Sequence, residues 1–184
     1  MWLDLESFVS SYQGPKLRLL FTGAGAWASG LLGVPGASSV VDSLHIPYSY
    51  DAVRSLLEKW HPNADTVLEN SGAVSAEMAT ALHLCNCHDL GSLVPVTVTA
   101  AITTSRYRKG DNHAYIVVGH PSSFDVYHLI LDKLSEQEHV QPMITTKRYV
   151  QDRVIGEVAL SLACSLSHPL LSELMEGGYL VRLS

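Results

Sequence analysis

The run Lys16 to Thr22, built around Leu17-Arg18-Leu19-Leu20-Phe21, is apolar at consecutive positions rather than alternate ones. A strand of that kind is buried on both faces, so the sheet that holds it needs a layer of structure on each side. Thr22-Gly23-Ala24-Gly25 turns the chain out of this strand, and a helix follows from about Ala24 to Leu32, ended by Gly33 and Pro35.

The remaining segments fit the same plan. Residues 3–13 read as a short amphipathic helix stopped by Gln13-Gly14-Pro15. Ser38 to Ile46 reads as a strand, and Ser49 caps a helix that carries Ala52, Val53, Leu56 and Leu57. Trp60 to Asn70 reads as a loop, and Ser75 caps a further helix. Leu93 to Thr103, Ala114 to Gly119 and Phe124 to Leu131 read as strands, the last two joined by a hairpin-like His120-Pro121-Ser122-Ser123. Ser135 with Glu138 resembles a capping box. The longest helical pattern runs from Thr146 to Leu166, with Val150, Val154, Val158, Leu162 and Leu166 as its stripe. Pro169 to Met175 reads as a short helix and Tyr179 to Leu183 as a final strand. Early βα alternation, then a hairpin, then a long helix predict a single domain over residues 1–184. Its class is α/β, a three-layer α/β/α sandwich with a mixed sheet.

Composition narrows the function classes. The net charge of -6, with Lys and Arg unclustered, excludes a nucleic-acid partner as the expectation. No apolar run reaches the roughly 18 residues of a bilayer span, and acidic residues stand where a signal peptide has bases, which predicts a cytoplasmic protein. Three cysteines are read as reduced thiols. Only 16% of residues are charged, below the usual quarter; part of the surface is therefore expected to be covered, in a homo-oligomer or by a partner domain.

Four constellations carry candidate chemistry. The glycine turn at Gly23 and Gly25 points backbone N–H groups toward a helix start, where an anion is stabilised. Pro35-Gly36 fixes a tight turn that presents Ser38, a nucleophile if a base stands within reach; the bland alternative is a turn and a strand cap. The stretch Thr99 to His113 ends an apolar strand in small and hydroxyl residues and then supplies Arg106, Arg108 and Lys109, a phosphate-holding combination or a solvated loop. His83, Cys85, Cys87 and His88 suggest metal, but residues two apart on a helix point away from each other and no second cysteine pair exists, so neither a metal nor another cofactor is expected. Arg148 and Arg153 open the long helix, as an anion clamp or as exposed helix-face arginines.

These segments resemble the C-terminal domain of the competence-damage-inducible (CinA-like) family over roughly residues 17–166. The most specific part is LLGVPGASSVVDSLHIPYS, in which Val-Pro-Gly-Ala-Ser is followed ten residues later by Tyr-Ser. Gly72-Ala73-Val74-Ser75 matches a helix start of the family, and VTAAITTSRYRKGDNHAYIVV matches a divergent branch often joined to a nicotinamide mononucleotide adenylyltransferase-like domain. The resemblance implies a metal-independent amidohydrolase that deamidates nicotinamide mononucleotide, with Ser38 as nucleophile and Tyr48 beside it assisting proton transfer. It also implies substrate contacts from Arg148, Thr99 and Thr103. Leu20 and Phe21 stand where active members have Glu and Ser, Val53 stands where they have a lysine, and Ala101-Ile102-Thr103-Thr104 replaces a glycine-rich tract. Two functions follow as expectations: a pyridine-nucleotide amidohydrolase, or a non-catalytic nucleotide-binding module that serves an adenylyltransferase-type enzyme.

Overall fold

The computed structural model describes residues 2–184. Six strands form one mixed sheet in the order β2-β1-β3-β4-β5-β6. They are β1 (Leu17–Thr22), β2 (Val41–His45), β3 (Val94–Ala101), β4 (Asn112–His120), β5 (Ser123–Leu131) and β6 (Leu180–Arg182). β1 pairs parallel with β2 and β3, and the other neighbours are antiparallel.

β1 is buried on both faces, as its run of apolar residues predicts. Leu17, Leu19 and Phe21 enter one core, and Leu20 enters the other. The first core is closed by α1 (Leu5–Ser11), α2 (Ala26–Ser29), α6 (Met143–Ala163) and α7 (Pro169–Glu176). The second is closed by α3 (Tyr50–Trp60), α4 (Ala64–Asn70) and α5 (Ala76–Asn86). The fold is therefore the expected α/β/α arrangement. The layer over the second face is incomplete: α5 packs Ala79 on Val117 of β4 and Val126 of β5. Beyond them Ile130, Val181 and Leu183 are 40–51% exposed.

Several local expectations are corrected. The segment 60–70 contains α4, seated on the second core through buried Ala64. The turn after Gly25 holds only four α-helical residues before a 3-10 turn at Gly30–Gly33. Ser38 lies in another 3-10 turn, Ala37–Ser39, and not in a strand. Ser135 and Glu138 do make the reciprocal bonds of a capping box, each side chain accepting from the other's N–H, and only a turn follows. α6 begins at Met143, and its buried face carries Gln151, Asp152, Ile155, Gly156 and Ala159, whereas Val150 is 39% exposed. Of the expected stripe, Val158 is buried and Val154, Leu162 and Leu166 pack on the first core, whereas Val150 does not; polar and small residues make up much of the rest of the inward face.

Two packing details explain those choices. A Cβ on Gly156 would stand 2.3 Å from the Trp27 ring, so glycine is what lets α2 approach α6. On the other face, fully buried His83 of α5 donates from Nε2 to the Gly119 carbonyl at 2.8 Å, which leaves Nδ1 to accept from the Thr97 hydroxyl at 3.1 Å. The Asn86 amide donates to the same hydroxyl and to the carbonyls of Arg18 and Val96. This network pins α5 to β1, β3 and β4.

Gly156→Ala is expected to lower stability by roughly 1–3 kcal/mol, read by urea unfolding, because the buried indole has to move. Burial pushes His83 down from 6.5 to about 4. Below pH 6.5 the unfolded chain then binds a proton that the native one refuses, so stability falls between pH 6.5 and about 4 and is full above that window. The loss amounts to about 2–4 kcal/mol, and a His83→Gln variant is expected to show a correspondingly shallower fall in a pH series of urea curves.

Candidate functional site

The sheet changes direction of growth at β1: the chain goes first to β2 on one side and later to β3 on the other. In open α/β sheets such a switch opens a crevice beyond the carboxyl ends of the strands, where ligands bind. Here that crevice is a cavity of ≈ 390 Å³, within the range of small-molecule sites. Its walls are Ala24 and Ala26 after β1, Ile46 and Tyr48 after β2, Ile102 after β3, and Thr145, Arg148, Tyr149 and Asp152 of α6. A second cavity of ≈ 180 Å³ opens on the other side of Tyr48, against Gly23, Ser49, Val53 and Met78.

The turn after β1 is forced by contact. Gly23 has φ +77°, and a Cβ there would stand 1.9 Å from the Ala100 carbonyl oxygen of β3. Gly25 has φ +116° and opens α2. Its N–H donates to Asp152 Oδ1, and the Trp27 N–H donates to Asp152 Oδ2, both at 2.6 Å. Asp152 is only 5% exposed. The donors expected to receive a ligand anion or an oxyanion are thus taken by a carboxylate of the protein itself. That carboxylate supplies the compensation that unpaired N–H groups at a buried helix start require.

Arg148 lies one turn before Asp152 and links two loops. Its Nη1 donates to the Thr103 carbonyl at 2.8 Å, and its Nη2 donates to the Tyr48 hydroxyl at 2.9 Å. Thr103 is held from all sides: its N–H donates to Gln151 Oε1 at 2.8 Å, and its hydroxyl accepts from Asn112 Nδ2 at 3.0 Å. Arg108 closes the network by donating to Asn112 Oδ1 at 2.8 Å and to the Ile102 carbonyl at 3.2 Å. Tyr48 and Tyr149, 69% and 60% exposed, stand at the rim.

Of the residues singled out from the sequence, Gly23, Gly25, Tyr48, Arg148 and Thr103 meet here, Gly25 and Thr103 as framework. Thr99 lies wholly inside the sheet, its hydroxyl without a hydrogen-bond partner. Arg106 and Lys109 are exposed in the loop after β3 and line neither cavity. Ser38 does not join the group. It is exposed in the turn before β2, whereas Tyr48 follows the far end of that strand; the strand alone rises about 13 Å between them. Val53 does line the second cavity, so the position at which the resemblance expects a lysine faces the site with an apolar side chain.

Sequence reasoning missed Gln151, Asp152, Asn112 and Tyr149. The available signal was the series Arg148, Asp152, Gly156 at four-residue intervals, one face of α6. Among the described residues that line the two cavities there is no Lys, His, Glu or Cys. Ser49 Oγ caps α3 by accepting from the Ala52 N–H at 3.2 Å, and the Thr145 hydroxyl donates to Gln141 Oε1 at 2.8 Å.

No family model matches the chain, and neither does any curated protein. Solved structures do. A competence/damage-inducible protein from Agrobacterium tumefaciens aligns with TM-score 0.65 and 17% identity over 91% of this chain and 99% of that one. One from Enterobacter asburiae aligns with TM-score 0.60 and 13% identity over 84% and 89%. A CinA superfamily protein from Escherichia coli aligns with TM-score 0.53 and 12% identity over 83% and 90%. The chain therefore has a CinA-like fold, and at these identities the likeness is one of fold.

Asp152→Ala leaves the Gly25 and Trp27 N–H groups buried without acceptors, a loss expected to reach about 2–4 kcal/mol. Asp152→Asn, which keeps one acceptor, is expected to cost less than Asp152→Ala when the two are compared by urea unfolding.

Proposed function

We propose that this domain binds a small phosphorylated metabolite with a planar ring, of the pyridine mononucleotide kind, and that it does so without hydrolysing it. The observation that carries the reading is Arg148. Its guanidinium stands in the crevice at the carboxyl ends of β1, β2 and β3, beside the exposed rings of Tyr48 and Tyr149. Guanidinium donors suit a phosphate or carboxylate, and the two phenol rings suit a planar ligand face. Ligand oxygens competing for Nη2 would displace the Tyr48 hydroxyl, and the exposure of Tyr48 leaves room for its ring to turn.

The chemistry of the lining argues against turnover. A hydroxyl becomes a nucleophile when an adjacent base takes its proton; the lining residues include no His, Lys or Glu, and the carboxylate they do include, Asp152, accepts from two backbone N–H groups. The two N–H donors of the first turn are occupied by Asp152, so that turn is a poor oxyanion hole. The CinA-like fold supports the ligand class, and the binding role suits a module that serves a separate nucleotide-processing enzyme of adenylyltransferase type. The hydrolytic alternative keeps one supporting contact, the hydrogen bond that Arg148 Nη2 donates to the Tyr48 hydroxyl.

Nicotinamide mononucleotide is expected to raise the melting temperature of the purified chain in a concentration-dependent way. Arg148→Ala is expected to abolish that rise, and ammonia release is expected to stay at the level of a Ser38→Ala control. Ammonia release that Tyr48→Phe eliminates would establish the amidohydrolase instead. The absence of both stabilisation and turnover would rule out pyridine nucleotides as the ligand class.

A further inference from the structure

Beyond the reach of α5, the second face of the sheet carries a pair of histidines. His113 of β4 and His128 of β5 are diagonal neighbours, since Tyr115 is the residue opposite His128 and Ile130 the one opposite His113. All four side chains point away from the first core, which takes Ala114, Ile116 and Leu129 from the same strands. His113 Nδ1 and His128 Nε2 are 3.1 Å apart, with their rings at 87°. Tyr115 stacks on His128 at 4.6 Å and 13°, and packs edge-on against His113 at 5.5 Å. Both imidazoles are half-buried on a face without a covering helix, next to exposed Ile130 and Val181.

We propose that His113 and His128 form a two-imidazole clip for a divalent transition-metal ion of the zinc class. Two imidazole nitrogens that bind one ion at about 2.0–2.1 Å, in tetrahedral or cis octahedral geometry, lie roughly 2.9–3.4 Å apart. The pair already has that spacing: the proton between the rings moves through solvent to the other nitrogen of its own ring, and both rings tilt until their lone pairs converge on one ion. Imidazole is a preferred ligand for zinc, copper and nickel. Tyr115, stacked on the His128 ring, packs against one side of it.

Two charged groups act on His113 from outside the pair, Arg108 and Asp111, and they oppose each other. Arg108 is also spent on Asn112 and the Ile102 carbonyl. Among the described residues no third His, Cys, Asp or Glu joins the two. The ion would therefore keep open positions, filled by water or by a donor atom from whatever presses on this uncovered face. The clip lies on β4 and β5, away from the crevice, and is independent of the function proposed there.

Isothermal titration of the full chain with zinc chloride at pH 7.5 tests the idea. One zinc per chain is expected. His113→Ala and His128→Ala should each weaken it at least about tenfold, whereas Cys85→Ser and His88→Ala leave it unchanged. His128→Gln, close in size to the original side chain, serves as a second variant, and melts in EDTA check that each variant is folded. Tyr115→Ala should weaken zinc less than loss of either histidine. The proposal fails if no zinc binds, or if folded variants of both histidines bind it as the parent does.

Discussion

The carboxylate of Asp152 ties the functional end of this molecule together. It accepts from the N–H groups of Gly25 and Trp27 at 2.6 Å each, and is itself almost wholly buried. Two backbone donors at a buried helix start are costly to leave unpaired, and a lone buried carboxylate is costlier still. Each therefore requires the other, and α2 is fixed on α6 in one position. One helical turn further on, Gly156 removes the Cβ that would strike the Trp27 ring. Charge pairing sets the register, and close contact then sets the distance.

The consequence for chemistry is direct. In a strand–turn–helix unit the helix start is the natural seat for a ligand anion. Here a side chain occupies two of its donors, so positive charge in the crevice comes from Arg148 instead. Its guanidinium is held between the Thr103 carbonyl and the Tyr48 hydroxyl. Thr103 is in turn fixed by Gln151 and Asn112, and Asn112 by Arg108. Such a satisfied polar network is rigid, and it leaves the exposed Tyr48 as the part of the site with freedom to move. The same network turns Arg108 inward, while its neighbours Arg106 and Lys109 remain in the exposed loop.

The second face of the sheet follows a different economy of contacts. Over β1 and β3 it is sealed by α3, α4 and α5, with His83, Thr97 and Asn86 forming a hydrogen-bonded polar centre. Past Val117 and Val126, on which Ala79 of α5 packs, the helical layer stops, and β-strand residues with half-buried or exposed side chains form the surface. The two histidines that meet there are fifteen residues apart in sequence, and antiparallel register alone brings them together.

How much of this was legible beforehand can be argued residue by residue. Strand β1 announced a buried sheet because consecutive apolar residues serve two cores, and the glycines after it announced a turn because only glycine tolerates that backbone beside the Ala100 carbonyl. Tyr48 was a candidate through the family resemblance alone; Arg148 at the opening of a long helix was legible without it, as were the caps at Ser49 and Ser75, whose side chains accept from nearby N–H groups. Local chemistry and periodicity determine such features, and the sequence contains both. The resemblance paired Ser38 with Tyr48, although the strand expected over Ser38 to Ile46 already sets them at its opposite ends, as β2 does. The sequence could not show that Asp152 fills the glycine turn, because the partners are more than 120 residues apart. Partners that distant meet only when the sheet and α6 have packed, so tertiary structure alone decided which donors remain for a ligand.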